Sequence, residues 1–369
     1  MTTEIRPAQP SDNGRLLTLF NSIPMEGALV LTTRRDPDFF ALYTMQGGTA
    51  ECLVAETDGD LTGVGTFLIR SGWLDGREQP VGYLGDLRTC YSARRSALVA
   101  KYYQEAFATM SHRYGCEVFL TAILASNHAA LNALVRNRNG RRRQPYYHLL
   151  KRFSAVSVHF LRARKPQRCA YQIRCAQEGD IPAIEALLDR DHQQRVCGYR
   201  FDQGEFQHRL NAWPGFRLAN TYLAFSPNGR LVGCTTAWNP SPVKRYQVNA
   251  YRGNMRWIKR GYNVLATILR CPRLPASGET FRYFYLCNTS VLDENPLVFR
   301  ALIEHVYADF RSQGYHFFTL VMDESDPLQP ALRGFFVRSL SFHLYAVTSS
   351  DHPRTDFPVG RTGFEIALA

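Results

Sequence analysis

The sequence predicts an α/β protein of two similar tandem halves, each with a mixed, mostly antiparallel sheet flanked by helices. The first observation is a repeat: residues 5–12 (IRPAQPSD) return 168 positions later as residues 173–180 (IRCAQEGD). Each copy pairs a short apolar strand with an Asp, Asp12 or Asp180, that is expected to cap the next helix. The same local plan therefore opens both halves.

Two further matches keep the same order along the chain. A Gly-containing hairpin turn at 55–63 is matched at 224–233, and the segment 98–127 is matched by 297–326 at a spacing of 199. The growth of the spacing from 168 to 199 requires an insertion of about 30 residues in the second half. It is expected at about 243–278.

The order of elements follows from apolar alternation in strands and from the helical apolar period. The first half reads as strand 4–8, helix 11–21, a loop with further helix, strands 51–56, 62–69 and 81–88, helix 94–114, strand 118–123, helix 127–136 and strands to 160. The second half reads as helices 181–190 and 296–313 with strands near Leu223, Val232, Tyr283, Phe317 and Leu344. The polar segment 165–167 contains a helix-breaking Pro, so we expect domains 1–165 and 166–369.

The amino-acid composition is consistent with two hydrophobic cores. The 369 residues are 45% hydrophobic and 12% aromatic, which suits two domains of ordinary size. No apolar run approaches the roughly 18 residues of a membrane span, and the N-terminus lacks a signal-peptide pattern, so a cytoplasmic protein without a transmembrane segment is expected. Nine cysteines without a C-x-x-C pair indicate reduced thiols and no metal site.

The net charge of +12 is concentrated in two acid-free stretches, one at 136–152 and one inside the insertion. Both could attract polyanions, but the chain has no recognised nucleic-acid reading motif, so a nucleic-acid partner is not expected. The insertion is predicted to contain a basic amphipathic helix, whose apolar residues are Met255, Trp257, Ile258, Tyr262, Leu265, Ile268 and Leu269. Packing on its own domain is the favoured interpretation, a lid over a substrate cleft is second, and an anionic membrane surface is a further possibility.

Residues 82–88 (GYLGDLR), followed by Arg94 and a long helix, resemble the acyl-CoA segment of the GNAT acyltransferase superfamily. Residues 121–131 resemble the strand and N-x-x-A helix start that lie beside the pantetheine arm in that family. The resemblance covers nearly the whole chain as two copies. It implies an N-acyltransferase that moves an acyl group from acetyl-CoA, or another acyl-CoA, to an amine by direct attack. The cofactor contacts that it implies are Leu87, Arg88, Arg94, Arg95, Ser96, Ala97, Asn127 and Ala130.

The pyrophosphate of such a cofactor binds backbone N–H groups at a helix N-terminus, where small residues allow a close approach. Here neither possible register of the loop, 92–97 or 94–99, contains a glycine. Phosphate binding would therefore rest on helix amides and on the charges of Arg94 and Arg95. The corresponding loop of the second half, 288–296, has neither a glycine nor a basic residue and contains two acidic ones. That half is expected not to bind coenzyme A in the usual way, and instead to buttress the first domain and help shape a shared substrate cleft.

Attack by an amine requires a proton acceptor, and Asp86, beside the cofactor loop, is the candidate base. Pairing of Asp86 with Arg88, or capping of a turn, is the alternative. The family commonly places a Tyr acid where this sequence has Leu134, so Tyr146 or Tyr147 is the candidate substitute, although a Tyr in a late strand also suits packing.

The acceptor is expected to be a small-molecule or peptide amine, and the protein a monomer or homodimer. The missing Tyr and glycines leave an alternative from another class: a catalytically inactive tandem GNAT-like protein that serves as a binding module or scaffold.

Overall fold

A computed structural model describes residues 3–90, 97–136, 144–351, 353–358 and 360–368. Its strands are β1 (Thr3–Pro7), β2 (Leu29–Arg34), β3 (Thr49–Thr57), β4 (Asp60–Leu74), β5 (Arg77–Thr89), β6 (Phe119–Leu124), β7 (Tyr146–His159), β8 (Gln172–Cys175), β9 (Thr221–Phe225), β10 (Leu231–Trp238), β11 (Arg245–Tyr251), β12 (Tyr283–Val291), β13 (Phe317–Asp323) and β14 (Val337–Thr348). Its helices are α1 (Asn13–Ser22), α2 (Ala41–Thr44), α3 (Ala97–Tyr114), α4 (His128–Ala130), α5 (Ile181–His192), α6 (Glu205–Ala212), α7 (Met255–Leu269) and α8 (Pro296–Phe310).

Twelve of these strands form one sheet, in the order β1-β3-β4-β5-β6-β14-β7-β13-β12-β10-β9-β8. Its parallel pairs are β5 with β6 and β12 with β13, and its other pairs are antiparallel. Helices cover the sheet on both faces. The predicted fold class, a mixed and mostly antiparallel sheet flanked by helices, is therefore confirmed.

The two copies of the opening repeat make the same contacts. The ion pairs Arg6–Asp12 and Arg174–Asp180 both measure 2.7 Å. In both copies the Asp carboxylate accepts the backbone N–H of the residue three positions earlier, at 2.8 Å, and so caps a short 3₁₀ turn. Asp12 and Asp180 occupy the N-cap positions of α1 and α5, as expected, but neither side chain hydrogen-bonds to its helix.

Strand register places the insertion. Thr66 on β4 lies opposite Gly85 on β5, and Thr236 on β10 lies opposite Cys287 on β12. The spacing between equivalent residues is 170 on the first strand of each pair and 202 on the second. The 32 extra residues therefore lie between β10 and β12, around the expected range of 243–278.

The helix α7 of the insertion packs on its own half, in line with the favoured interpretation, and Arg311 donates to the Leu269 carbonyl at 2.8 Å. The insertion also contacts the first half. Its strand β11 pairs antiparallel with β2 of the first half, in a separate two-stranded ribbon. An Arg245–Asp36 ion pair adds to this contact. Strand β2 lies in a segment where the sequence predicted only loop and helix, since its partner comes from about 215 residues away.

The halves also exchange their last strands. Strand β6 of the first half pairs with β14 of the second, and β13 of the second pairs with β7 of the first. Strands β7 and β14 pair with each other at the centre of the sheet, where the rings of Phe153 and Phe342 stack with centroids 5.3 Å apart. The halves before and after residue 165 are therefore interlocked in one sheet.

The helix predicted over 127–136 is divided into α4 and a π-helix, Leu131–Arg136. The first residues of the helix predicted from 94 lie outside the described residues, and α3 is described from Ala97. None of the helices in the described ranges is both long enough and apolar enough to cross a bilayer.

Candidate active site

The candidate site is centred on a β-bulge in β5. Thr66 pairs with Gly85 and Val64 with Arg88, so that two residues, Asp86 and Leu87, face a single residue of β4. Asp86 adopts a φ of 53°, in the left-handed region, as a residue at such a bulge can. The bulge interrupts strand alternation and sets the direction of the Asp86 side chain.

Asp86 ends a chain of hydrogen bonds that runs through the core. The Thr66 hydroxyl donates to the Tyr43 hydroxyl at 3.1 Å, and Tyr43 donates to Asp86 Oδ2 at 2.5 Å. Arg35 Nη2 lies 2.6 Å from the same carboxylate oxygen. The Arg35 side chain is 1% exposed, and its guanidinium lies 4.9–5.3 Å from the ring centroids of Phe20, Phe39 and Tyr43. Because a charge buried among rings needs a counter-ion, Arg35 and Asp86 depend on each other.

Burial alone would raise the pKa of Asp86. The charge of Arg35 and the hydrogen bond from Tyr43 outweigh burial, so the pKa of the carboxyl lies below its ordinary value. Burial raises the pKa of the Tyr43 hydroxyl well above its ordinary value, so this hydroxyl stays a donor. At neutral pH Asp86 is therefore an ionised carboxylate with two donors on it.

The insertion brings Lys244 to this region. Its side chain is buried, with Nζ 5.4 Å from the centroid of the Tyr285 ring. Burial, and to a lesser extent the charge of Arg35, lowers the pKa of Lys244 to about 7, while Asp86 acts in the opposite direction. The second half thus supplies an amine, near half-protonation at neutral pH, to a carboxylate of the first half.

Within the described residues, Asp86 pairs with Arg35 and not with Arg88, the partner considered from the sequence. The Arg88 guanidinium lies 3.7 Å from the centroid of the Phe20 ring and donates to the Ile23 carbonyl at 2.9 Å. Its charge nevertheless helps to lower the pKa of Asp86. Arg88 is therefore part of the electrostatic environment of the site.

Beside the bulge, the parallel strands β5 and β6 separate. They pair only through Gly82–Phe119 and Tyr83–Leu120. One residue further along, the Thr121 hydroxyl donates to the Leu84 carbonyl at 2.9 Å. Beyond that point the described residues of β5 pair only with β4. The opposite backbone edge of β5, near Leu87, therefore has no strand partner among the described residues. An extended ligand that carries amides can pair with an edge of this kind.

Of the predicted cofactor contacts in the described residues, Leu87 and Arg88 lie on β5 and the others lie on or beside α3 and α4. Leu87 has an exposed side chain, and Ala97 is the first described residue of α3. Asn127 caps α4, where its Oδ1 accepts the backbone N–H of Ala130 at 3.2 Å. Arg94, Arg95 and Ser96 lie outside the described residues.

The candidate tyrosines lie elsewhere. The Tyr147 hydroxyl is 2.6 Å from the Tyr103 hydroxyl, in a core cluster that contains Phe67. Phe67 and Thr66 are neighbours on β4 and point to opposite faces of the sheet. The structure therefore does not bring Tyr147 together with Asp86. Tyr146, half-buried, is the first residue of β7.

The second half contains a counterpart of the bulge with different chemistry. Asn288, with a φ of 49°, stands where Asp86 stands in the first half, and its Oδ1 accepts Arg209 Nη1 at 2.5 Å. Arg209 also pairs with Glu205 and Glu365. The amide of Asn288 therefore replaces the carboxylate of Asp86, and the counter-ions of the buried Arg209 do not come from the bulge.

The N-terminus of α8, the counterpart of α3, is already occupied. The Asn295 side chain accepts the backbone N–H of Leu297 at 2.9 Å, and Glu294 pairs with Arg361 at 3.2 Å.

The sequence reading missed Arg35, Tyr43 and Lys244. In the sequence, Arg35 is a charged residue that closely follows an apolar stretch. Such a residue ordinarily lies at the solvent-exposed end of a strand. Lys244 was counted among the basic residues of the insertion, and only the pairing of β11 with β2 shows that it is buried.

Among the described residues, no group of three or more His, Cys, Asp or Glu side chains is arranged to hold a metal ion. Six of the nine cysteines are buried.

No protein-family model and no curated protein matches the sequence. Solved structures do match. A GCN5-related N-acetyltransferase from Sphaerobacter thermophilus aligns with a TM-score of 0.54 at 12% identity, over 99% of this chain and 98% of that one. Saccharomyces cerevisiae N-myristoyltransferase with bound myristoyl-CoA aligns with a TM-score of 0.60 at 10% identity, over 94% and 83%. A probable N-acyltransferase from Enterococcus faecalis V583 aligns with a TM-score of 0.51 at 11% identity, over 94% and 72%. The chain therefore has the GNAT acyltransferase fold, as its sequence indicated.

Proposed function

We propose that the protein is an acyl-CoA-dependent N-acyltransferase whose active site lies at the β5 bulge. The observation that carries this proposal is the position of Asp86, an ionised carboxylate next to the point where β5 and β6 separate. The structural neighbours are N-acyltransferases, which supports acyl transfer as the class of reaction.

Acyl-CoA is proposed to lie along the free edge of β5. Its pantetheine amides would pair with backbone groups near Leu87 and Arg88 and pass Asn127 and Ala130. Its pyrophosphate would bind backbone amides of the segment that contains Arg94, Arg95, Ser96 and Ala97. Residues 94–100 contain no acidic side chain. In the second half, Asn295 and Glu294 occupy the equivalent helix start, so one cofactor per chain is expected.

In the proposed reaction, the amine nitrogen attacks the thioester carbonyl carbon, a C–N bond forms and the C–S bond breaks. Asp86 is a weak base because Arg35 and Tyr43 hold its charge, so its proposed role is to hold the incoming ammonium. Neutral Lys244 would take one proton from this ammonium, which frees the nitrogen lone pair for attack, and would later release that proton to solvent. The second proton, which the nitrogen loses after attack, would go to the departing thiolate. Tyr146 and Tyr147 have no step in this scheme.

The acceptor is proposed to carry an anionic group as well as its amine. The charges of Arg35 and Arg88 both act on one carboxylate, which leaves a positive excess. A carboxylate on the acceptor would complement this excess, whereas a polyamine would be repelled. Amino acids and acidic peptides are therefore the first acceptors to test.

Cofactor binding is tested by calorimetric titration with acetyl-CoA and myristoyl-CoA. One site per chain is expected, with binding weakened at least about tenfold in Arg94→Ala/Arg95→Ala, since two charge-assisted contacts are lost. Absence of heat with both thioesters would contradict the proposal and favour a scaffold without catalysis.

Catalysis is tested by Asp86→Asn. Its kcat should fall by about 10²-fold or more while acyl-CoA affinity is retained, because the substitution removes a charge that acts on the acceptor. Asp180→Asn is the matched control, since it breaks an Arg–carboxylate pair of similar geometry outside the site. Equal kcat values in both variants would rule out a role for Asp86.

A further inference from the structure

The most unusual surface of the molecule is the outer face of α7. Its large exposed side chains are Trp257, Ile258, Val264, Leu265 and Ile268, with exposed fractions of 44–72%. They make up half of the ten large hydrophobic side chains exposed in the described residues. With Gly261 they fall within an arc of about 120° on the helix, so they form one continuous apolar stripe. Isolated exposed apolar residues are ordinary, but a contiguous stripe indicates a binding surface.

This face is fixed in its orientation. The inner side of α7 is held by buried Ala266 and by Lys259, whose Nζ lies 4.4 Å from the centroid of the Tyr251 ring. At the C-terminal end, Arg311 donates to the Leu269 carbonyl at 2.8 Å, and the Leu274 N–H donates to Asn263 Oδ1 at the same distance. The stripe therefore points outward because the other side of the helix is anchored.

Positive charge surrounds the stripe. Residues 252–273 contain six basic side chains and no acidic one. Of these, Arg252 pairs with Glu26, and the Arg260 guanidinium lies 4.8 Å from the centroid of the Trp257 ring. A Trp among aliphatic side chains, bordered by Arg, is typical of helices that lie in a membrane interface.

We propose that α7 docks the protein onto an anionic lipid surface, with the apolar stripe entering the boundary between headgroups and acyl chains. Anionic headgroups complement the basic residues around the stripe. A second copy of the chain fits less well, because a symmetric contact would bring two equally basic faces together. This proposal is independent of acyl transfer.

The test is co-sedimentation of the full chain with vesicles of phosphatidylcholine alone and of an equimolar mixture with phosphatidylglycerol. The mixed vesicles should bind at least about tenfold more tightly, and high salt should weaken that binding. Trp257 fluorescence should shift to shorter wavelength on binding and be quenched by brominated lipids.

Two double variants locate the contact. Trp257→Ser/Ile268→Ser removes part of the stripe, Arg260→Gln/Arg270→Gln removes part of the charge, and each should lower vesicle affinity about tenfold or more. The matched control is Leu297→Ser/Leu340→Ser, which removes two exposed leucines elsewhere and should bind like the wild type. The proposal is overturned if the wild type ignores anionic vesicles or if the stripe variant binds as tightly as the control. A stable dimer in light scattering that only the stripe variant dissociates would also overturn it, in favour of a second copy.

Discussion

At the scale of single residues, the site depends on opposing electrostatic effects. Asp86 and Lys244 are both buried, and burial disfavours the charged form of each. Arg35 then stabilises the charge on Asp86 and disfavours the charge on Lys244, so that the carboxyl stays ionised while the pKa of the amine falls to about 7. One arginine thereby shifts the two groups in opposite directions, towards an ionised Asp86 and a neutral Lys244.

Lys244 should make stability depend on pH. Its pKa of about 7 in the folded chain lies below the ordinary value of 10.5. Between these values the unfolded chain binds a proton that the folded chain does not, so the folded state gains stability as pH rises. Lys244→Met lacks this dependence. Lys244→Met should be more stable than the wild type at pH 7, and this difference in the free energy of unfolding should shrink by about 2 kcal/mol in total from pH 7 to pH 9. Urea unfolding of both proteins at several pH values measures this, and a constant difference would contradict it.

At the scale of elements, β5 and β6 approach closely because β5 has a glycine where they meet. A Cβ at Gly82 would lie 2.1 Å from Cδ1 of Phe119. Phe119 is fully buried and packs edge-on against Phe67 with centroids 5.8 Å apart, so it has no room to withdraw. The pairing that precedes the separation of the strands therefore requires this glycine.

Gly82→Ala should lower the free energy of unfolding by about 1–3 kcal/mol, because the methyl group forces the ring or the strand to move. Gly14→Ala is the control: its added Cβ meets no atom within 4 Å, and Ala in a helix should raise stability by about 0.5–1 kcal/mol. Denaturant unfolding compares them. If both variants change the free energy of unfolding by equally small amounts, β6 accommodates the added methyl group without loss of stability.

At the scale of the molecule, the exchanged strands β7 and β14 make one folding unit from two similar halves. Strand β6 pairs with β5 of its own half on one side and with β14 of the second half on the other. Strand β13 pairs with β12 of its own half on one side and with β7 of the first half on the other. Without the other half, one edge of β6 and one edge of β13 would therefore be unpaired.

The two fragments 1–165 and 166–369 should accordingly fail to fold separately and should associate when produced together. Circular dichroism and light scattering of each fragment, alone and mixed, provide the measurement. The intact chain should unfold in a single transition. Two independent, monomeric folded fragments would refute this expectation.

Much of this fold was predictable because its signals are local. The repeat of Asp12 in Asp180, the hairpin turns and the helical periodicity of α3 and α8 all lie within short windows of sequence. The insertion was found from a change in spacing, which needs no contact information. Asp86 was predicted as a site residue because it lies in a glycine-containing strand, residues 82–88, that resembles a known motif.

The remainder depended on pairing between distant residues. Arg35 meets Asp86 across 51 positions, and Lys244 reaches the same region from 158 positions away. Neither the pairing of β2 with β11 nor the exchange of β7 and β14 has a sequence period. Their energy comes from burial and hydrogen bonds that form only when both halves are present.

The exchanged strands also impose an order on synthesis. When β6 leaves the ribosome, its outer partner β14 is still about 220 residues from completion. At typical elongation rates that delay is roughly 10 to 45 seconds. During this time the edge of the first half is open to other chains. A chaperone that shields this nascent strand edge would therefore act on the protein before the protein can bind any substrate.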